Sequence, residues 1–165
     1  MRFLPFAVFA LVFAGCAGSG ASLSAPGCNT LVLDLEHGTL NGVAPTATRA
    51  QIATQFPCAT GDTEDGAEFN FGGGVFFLDH DFYMYTHRDY IEVRADFAGA
   101  VVPAVLCVSV HDLADAFGAP VRTEDGAQFY VRDYGCLRAE LSPDADVVVE
   151  LGVHAEACDD VILPR

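Results

Sequence analysis

The chain has 165 residues, ample for one compact domain and short for two independent ones. Its 23 acidic residues face only eight basic ones, all arginines scattered from Arg2 to Arg165, giving a formal charge of −15. With no basic stripe to neutralise phosphates, nucleic acid is excluded as a partner, and at 52% hydrophobic with 13 phenylalanines the chain is a folding sequence and not a disordered acidic tail.

Met1-Arg2 carries one positive charge and leads into an apolar run, Phe3 to Phe13, followed by the small residues Ala14-Gly15-Cys16-Ala17-Gly18. That is the layout of a secretory signal, and the run is too short for a helix that crosses a bilayer, which needs roughly 20 residues. Phe13-Ala14-Gly15-Cys16 resembles the lipobox of bacterial lipoproteins. The resemblance implies a signal peptide over residues 1–15, acylation of Cys16 and residence in a bacterial cell envelope, at the outer membrane or cell surface. The alternative is ordinary cleavage nearby and a secreted protein. Residues 16–27, almost wholly Gly, Ala, Ser and Pro after the cysteine, then form a flexible tether. Arg2 is the only charge in the first fifteen residues, so processing takes the formal charge from −15 to −16. Such a chain is repelled by anionic head groups, which leaves the lipid on Cys16 to hold it on a membrane.

Past Cys16 stand Cys28, Cys58, Cys107, Cys136 and Cys158. In an exported protein these read as disulfide partners, and none has the Cys-x-x-Cys spacing of a zinc or redox site. Spacing leaves the pairing open. The expected arrangement joins Cys107 to Cys136 and Cys28 to Cys158, with Cys58 free.

A repeat organises the rest. Thr63-Glu64-Asp65-Gly66-Ala67-Glu68-Phe69 recurs as Thr123-Glu124-Asp125-Gly126-Ala127-Gln128-Phe129. Upstream of each copy, Thr48 to Gln51 and Ser109 to Asp112 predict helix starts of the capping-box type. Ile52 with Phe56, and Leu113 with Phe117, then fall on one helical face each. Pro57 stops the first helix; Gly118 and Pro120 stop the second. Strands are predicted at Thr30 to Glu36, Glu68 to Phe71, Val75 to Leu78, Phe82 to Thr86, Tyr90 to Phe97, Val101 to Val108, Gln128 to Val131, Cys136 to Leu141 and Val147 to Val153. The pattern from Tyr90 to Phe97 is the clearest, with Ile91, Val93, Ala95 and Phe97 alternating with Glu92, Arg94 and Asp96. The predicted fold class is α+β, two tandem repeats of a short helix packed on an antiparallel β-meander (β-α-β-β-β), over residues 28–99 and 100–165. Phe117-Gly118-Ala119-Pro120 and the meander after it resemble the repeat of the β-lactamase-inhibitor-protein-like superfamily. The SmpA/OmlA-type lipoproteins that assist outer-membrane assembly have a related design. The resemblance implies a helix-plus-sheet unit in each half.

Chemistry-bearing clusters are few. Asp79, His80 and Asp81 with His87 bring carboxylates and imidazoles together across a predicted hairpin, a set that suits zinc or another divalent ion. His37, His111 and His154 are isolated. Asp62-Thr63-Glu64-Asp65-Gly66 resembles part of a calcium loop, but its second copy has Arg122 in the first ligand position, so a hairpin turn is the better reading. Gly72-Gly73-Gly74 lacks the Lys-Ser/Thr of a phosphate cradle. Past the tether the only serines are Ser109, a helix cap, and Ser142, before a proline, which argues against serine hydrolysis. The sequence therefore predicts a noncatalytic, cofactor-free, envelope-anchored protein that binds another envelope or extracellular protein. The alternative is a metal or small-ligand binder using the Asp79 to His87 hairpin.

Overall fold

The computed structural model describes residues 31–56, 61–63, 66–71, 74–78 and 90–162. The signal, Cys16, the tether, Cys28, Cys58 and the predicted strand Phe82 to Thr86 lie outside the described residues. In chain order the elements are β1 (Val32–Asp34), β2 (Thr39–Leu40), α1 (Arg49–Gln55), β3 (Gly61–Thr63), β4 (Gly66–Phe71), β5 (Gly74–Leu78), β6 (Tyr90–Arg94), β7 (Ala100–Val102), α2 (Val110–Phe117), β8 (Arg122–Glu124), β9 (Ala127–Arg132), β10 (Gly135–Leu141) and β11 (Val148–His154).

This is a mostly β protein, which corrects the α+β expectation of two tandem helix-on-meander repeats. The helices are only seven and eight residues long, and the strands form three sheets, β2-β1-β7, β3-β4-β5 and β6-β11-β10-β9-β8. The two strands expected to open separate repeats, β1 and β7, instead pair with each other in parallel, Leu33 opposite Val101. β6, from the predicted first repeat (residues 28–99), completes the five-stranded sheet of the second by pairing antiparallel with β11. The predicted strand Val101 to Val108 stops at Val102, because Pro103 has no N–H to offer a neighbouring strand.

Both helix starts form as local chemistry dictates. At α1 the Gln51 side-chain oxygen accepts from the Thr48 backbone N–H at 2.8 Å. At α2 the Ser109 hydroxyl accepts from Asp112 N–H while the Asp112 carboxylate accepts from Ser109 N–H. The hydrogen bond from the Ser109 hydroxyl holds the Asp112 carboxyl below its ordinary pKa. Leu113 is the buried anchor of α2, and Phe117 packs its ring 5.9 Å from that of Tyr130.

The repeated Thr-Glu-Asp-Gly segment makes a hairpin in each half, in different registers. In the second, Glu124 faces Ala127 across Asp125 (φ 48°) and Gly126 (φ 83°), the two positive-φ positions of a type I′ turn. In the first, Thr63 faces Gly66, so the glycine has left the turn and entered the strand. Moving the turn by one residue shifts each cross-strand partner by two, so Thr63 faces Gly66 where Thr123 faces Gln128. Near-identical sequence is therefore not identical structure here.

The main core lies on one face of the five-stranded sheet. Ile91, Val93, Leu151, Val153, Leu137, Ala139 and Tyr130 project there and pack with Leu31, Leu33, Leu35 and Leu40 of the β1 sheet and Leu113 of α2. The β1–β2 turn is held by Asp34, whose carboxylate accepts from the N–H groups of Glu36 (2.9 Å) and His37 (3.1 Å) and pairs with His37 Nδ1 at 2.8 Å. Burial opposes the charge on Asp34, but the hydrogen bonds from His37 and Glu36 outweigh it and leave the carboxyl pKa lowered. The same bond to Asp34 raises the pKa of His37. The pair stabilises the turn between those two values. Its contribution is lost as pH rises through the raised His37 pKa, and again as pH falls through the lowered Asp34 pKa. An NMR titration should place the His37 midpoint above 6.5, and Asp34→Asn should bring it back down. A midpoint that Asp34→Asn leaves unmoved would refute the coupling.

Candidate functional site

The opposite face of the five-stranded sheet is where charge collects. Strand alternation puts Glu92 and Arg94 of β6, Glu150 and His154 of β11, and Arg138 and Glu140 of β10 on this face, with Gly152 between Glu92 and Arg138 in the register. Arg138 is the centre. Its side chain is only 3% exposed, and its guanidinium bonds Glu150, reaches Glu92 at 3.4 Å and Glu140 at 3.4 Å. Arg94, half exposed, closes the network with Glu92 at 2.9 Å and Glu150 at 3.5 Å. Three carboxylates therefore surround two guanidiniums.

The reach of Arg138 across β11 depends on Gly152. A Cβ on that residue would stand 2.7 Å from His154 Nε2 and 3.3 Å from Arg138 Nε, so any side chain would push both away. The His154 ring in turn stacks on Tyr90, centroids 5.4 Å apart.

A strap of the C-terminal residues covers part of this face. After β11 the chain turns back, and Cys158 forms a disulfide with Cys136 of β10. Val161 then packs with Phe129, Ala127 and the disulfide in a second small core. Arg122 of β8 fastens the strap by donating from Nη2 to the Val161 carbonyl at 2.9 Å, while its guanidinium lies 3.8 Å over the Phe129 ring. Between strap and sheet remains a cleft of about 70 Å³ lined by Tyr90, Glu92, Arg138, His154, Glu156, Val161 and Ile162. That is far below the roughly 300–1,000 Å³ of small-molecule pockets. With every carboxylate of the network bonded to a guanidinium, the arrangement is a brace that holds β6, β10 and β11 together and seats the strap.

The structure corrects the expected disulfide pairing. Cys136 is joined to Cys158, so neither Cys107–Cys136 nor Cys28–Cys158 forms. The physical reason is register: Cys136 faces His154, which places it on the same sheet face as the returning strap. Cys107 is itself disulfide-bonded, to a cysteine outside the described residues. Asp79, His80, Asp81 and His87 also lie outside the described residues. Among the described residues no group of three or more His, Cys, Asp or Glu side chains is placed to hold a metal ion. His37 is paired with Asp34, and His111 Nε2 stands 3.9 Å from Asp115. His154, read from sequence as isolated, belongs to the charged face. The signal that was present for the brace is the i, i+2 spacing of opposite charges in Glu92-Val93-Arg94 and Arg138-Ala139-Glu140, which puts each pair on one side of a strand.

No protein-family model, no curated protein and no solved structure matches the chain.

Removing one partner from a buried ion-pair network leaves its other charges uncompensated. Arg138→Ala is expected to lower stability in urea denaturation by about 3 kcal/mol, and Arg94→Ala, at a half-exposed pair, by less than about 1 kcal/mol. Equal losses would show that Arg138 is not the centre of the brace. The Cys136–Cys158 bridge spans 22 positions. Replacing both cysteines by alanine should cost about 3 kcal/mol, measured by the same denaturation under oxidising conditions, and an unchanged midpoint would contradict the strap's structural role.

Proposed function

We propose that the chain is a noncatalytic lipoprotein of a bacterial cell envelope, anchored through lipid on Cys16, whose β-sheet body binds another envelope protein. Two disulfide-bonded positions within the body, the Cys136–Cys158 pair and Cys107, support export, since disulfides persist in oxidising compartments and are rare in reducing ones. That is the destination the Met1 to Cys16 segment would select. The observation that carries the binding reading is the β8 end of the five-stranded sheet. Among the described residues β8 has a strand neighbour on one side only, and Val121 and Val131 beside it are 59% and 64% exposed. An open strand edge flanked by apolar side chains is the surface that strand-addition partners use. The strong negative charge of the body favours a partner with a basic surface.

Two measurements test this. A photo-crosslinking amino acid placed at Val121 or Val131 in the native envelope should yield a reproducible crosslinked partner by mass spectrometry. The same residue at His111, exposed on α2, should not. A blank from both valine positions across growth conditions overturns the binding reading. Separately, Cys16→Ala should move the protein from the membrane to the soluble fraction and abolish lipid labelling. A variant that stays equally membrane-bound overturns the anchor.

A further inference from the structure

The strap over the five-stranded sheet, residues 155–162, is tied down differently from the rest of the body. None of its residues belongs to the main core. Its contact with the sheet is the cluster of Ala127, Phe129, Cys136, Cys158 and Val161, which shares no member with that core. Of the strap's own side chains only Cys158 and Val161 are buried. The burial of one valine and the bond from Arg122 Nη2 to the Val161 carbonyl are small gains against the entropy lost in fixing the whole segment. Glu156, Asp159 and Asp160 add to the repulsion within a chain of formal charge −15, which also favours release. What keeps the strap down is therefore the Cys136–Cys158 bond, which joins positions 22 apart.

Beneath the strap runs an apolar stripe. Strand alternation turns Ala127, Phe129 and Val131 of β9 onto the strap face, opposite Glu140, Arg138 and Cys136 of β10. Ala127 and Phe129 are covered, at 1% and 0% exposure, while Val131 at the end of the stripe is open to water. Lifting the strap extends the exposed apolar surface from Val131 along β9 to Ala127.

We propose that the strap is a lid latched by thiol–disulfide exchange: with Cys136–Cys158 intact it is shut over the β9 stripe, and reduction of that bond lifts it while the main core stays folded. The latch is reached from the strap's side. Cys158 is flanked by the exposed residues Ala157, Asp159 and Asp160, whereas Cys136 is wholly buried in the sheet. The turn around Cys158 is closed by the bond from Asp160 N–H to the Ala157 carbonyl at 2.9 Å, and opening that turn presents the Cys158 sulfur to a dithiol. One thiolate of the dithiol attacks this sulfur, and Cys136 leaves and takes up a proton. The second thiol of the reductant then displaces Cys158 from the mixed disulfide. The protein ends with two thiols and the reductant with a disulfide. Neither the lipid anchor nor a partner protein enters this step.

Hydrogen exchange read by mass spectrometry on the full-length protein tests the lid in two preparations. One is the native chain titrated with dithiothreitol. The other carries Cys136→Ala with Cys158→Ala, which does not touch the disulfide of Cys107. In both, peptides covering the strap are expected to lose their protection while peptides from β10 and β11 keep theirs, and a dye that fluoresces on apolar surface binds more. Where dithiothreitol also opens the Cys107 bond, the variant decides. A strap that stays protected in the variant is held by packing alone, which overturns the lid. Loss of β10 and β11 protection in the variant overturns it too, since strap and body then open as one cooperative unit. A Cys136–Cys158 bond that dithiothreitol leaves intact in the folded protein, with neither cysteine alkylated, overturns the latch.

Discussion

Arg138 stands in the middle strand of the five-stranded sheet with almost no access to water, and a charge in that position has to be neutralised within hydrogen-bond reach. Much of the surrounding sequence follows from this requirement. Glu140 is supplied two residues along the same strand, Glu150 from the next strand, and Glu92 from the strand beyond that. The last contact spans an intervening strand, which is possible only because the residue between them is Gly152. The order β6-β11-β10 is thereby encoded in polar contacts as well as in apolar packing. A β6 shifted by one residue would bury Glu92 among Ile91's neighbours and expose Ile91 to the charged face. The ionic face and the apolar face thus enforce the same register, each penalising the slip that the other forbids.

The strap extends the same logic to the end of the chain. A sheet face that carries both a charged network and apolar residues such as Phe129 and Ala127 cannot be left open along its whole width. The residues after β11 cover its apolar part, and the disulfide supplies what so short a segment cannot gain from burial alone. Arg122 links the two regions, since its ring contact with Phe129 and its bond to Val161 use both an apolar and a polar partner.

What was readable in the sequence was mostly local. Thr48 and Ser109 mark the helix starts correctly, because a capping box is closed within four residues. Ile91 and Val93 are buried as their alternation with Glu92 and Arg94 predicts, but the strand ends at Arg94, three residues short of the predicted Phe97, which is buried from the turn that follows. Most of the other errors are long-range. Nothing in a period-2 pattern says which strand lies next, so β1 and β7 were assigned to separate meanders when they pair with each other. Glu92 alternates with buried apolar residues as a solvent-facing position would, yet it is buried beside Arg138. The cysteine pairing failed for the same reason: it depends on which face the returning chain crosses, and that is decided by the register of β10 against β11. The repeated heptapeptide misled in another way. Its Asp-Gly signal makes the type I′ turn in the second copy, but in the first copy Thr63 pairs with Gly66, so the same signal does not place the glycine in the turn.

The acidity of the chain bears on both the staples and the surface. A formal charge of −15 on a body of this size is self-repelling, which works against the compact state even where salt screens beyond about 8 Å. Short-range repulsion survives that screening, and placing carboxylates around arginines inside the sheet removes several of them from the repelling set. Disulfides act on the other side of the balance, by reducing the freedom of the unfolded chain. Neither device draws on surface apolar area, so the valines beside β8 are not needed for cohesion of the body. Val121 and Val131 stand exposed beside β8, and under the proposed function they are the side chains that a strand-adding partner would cover.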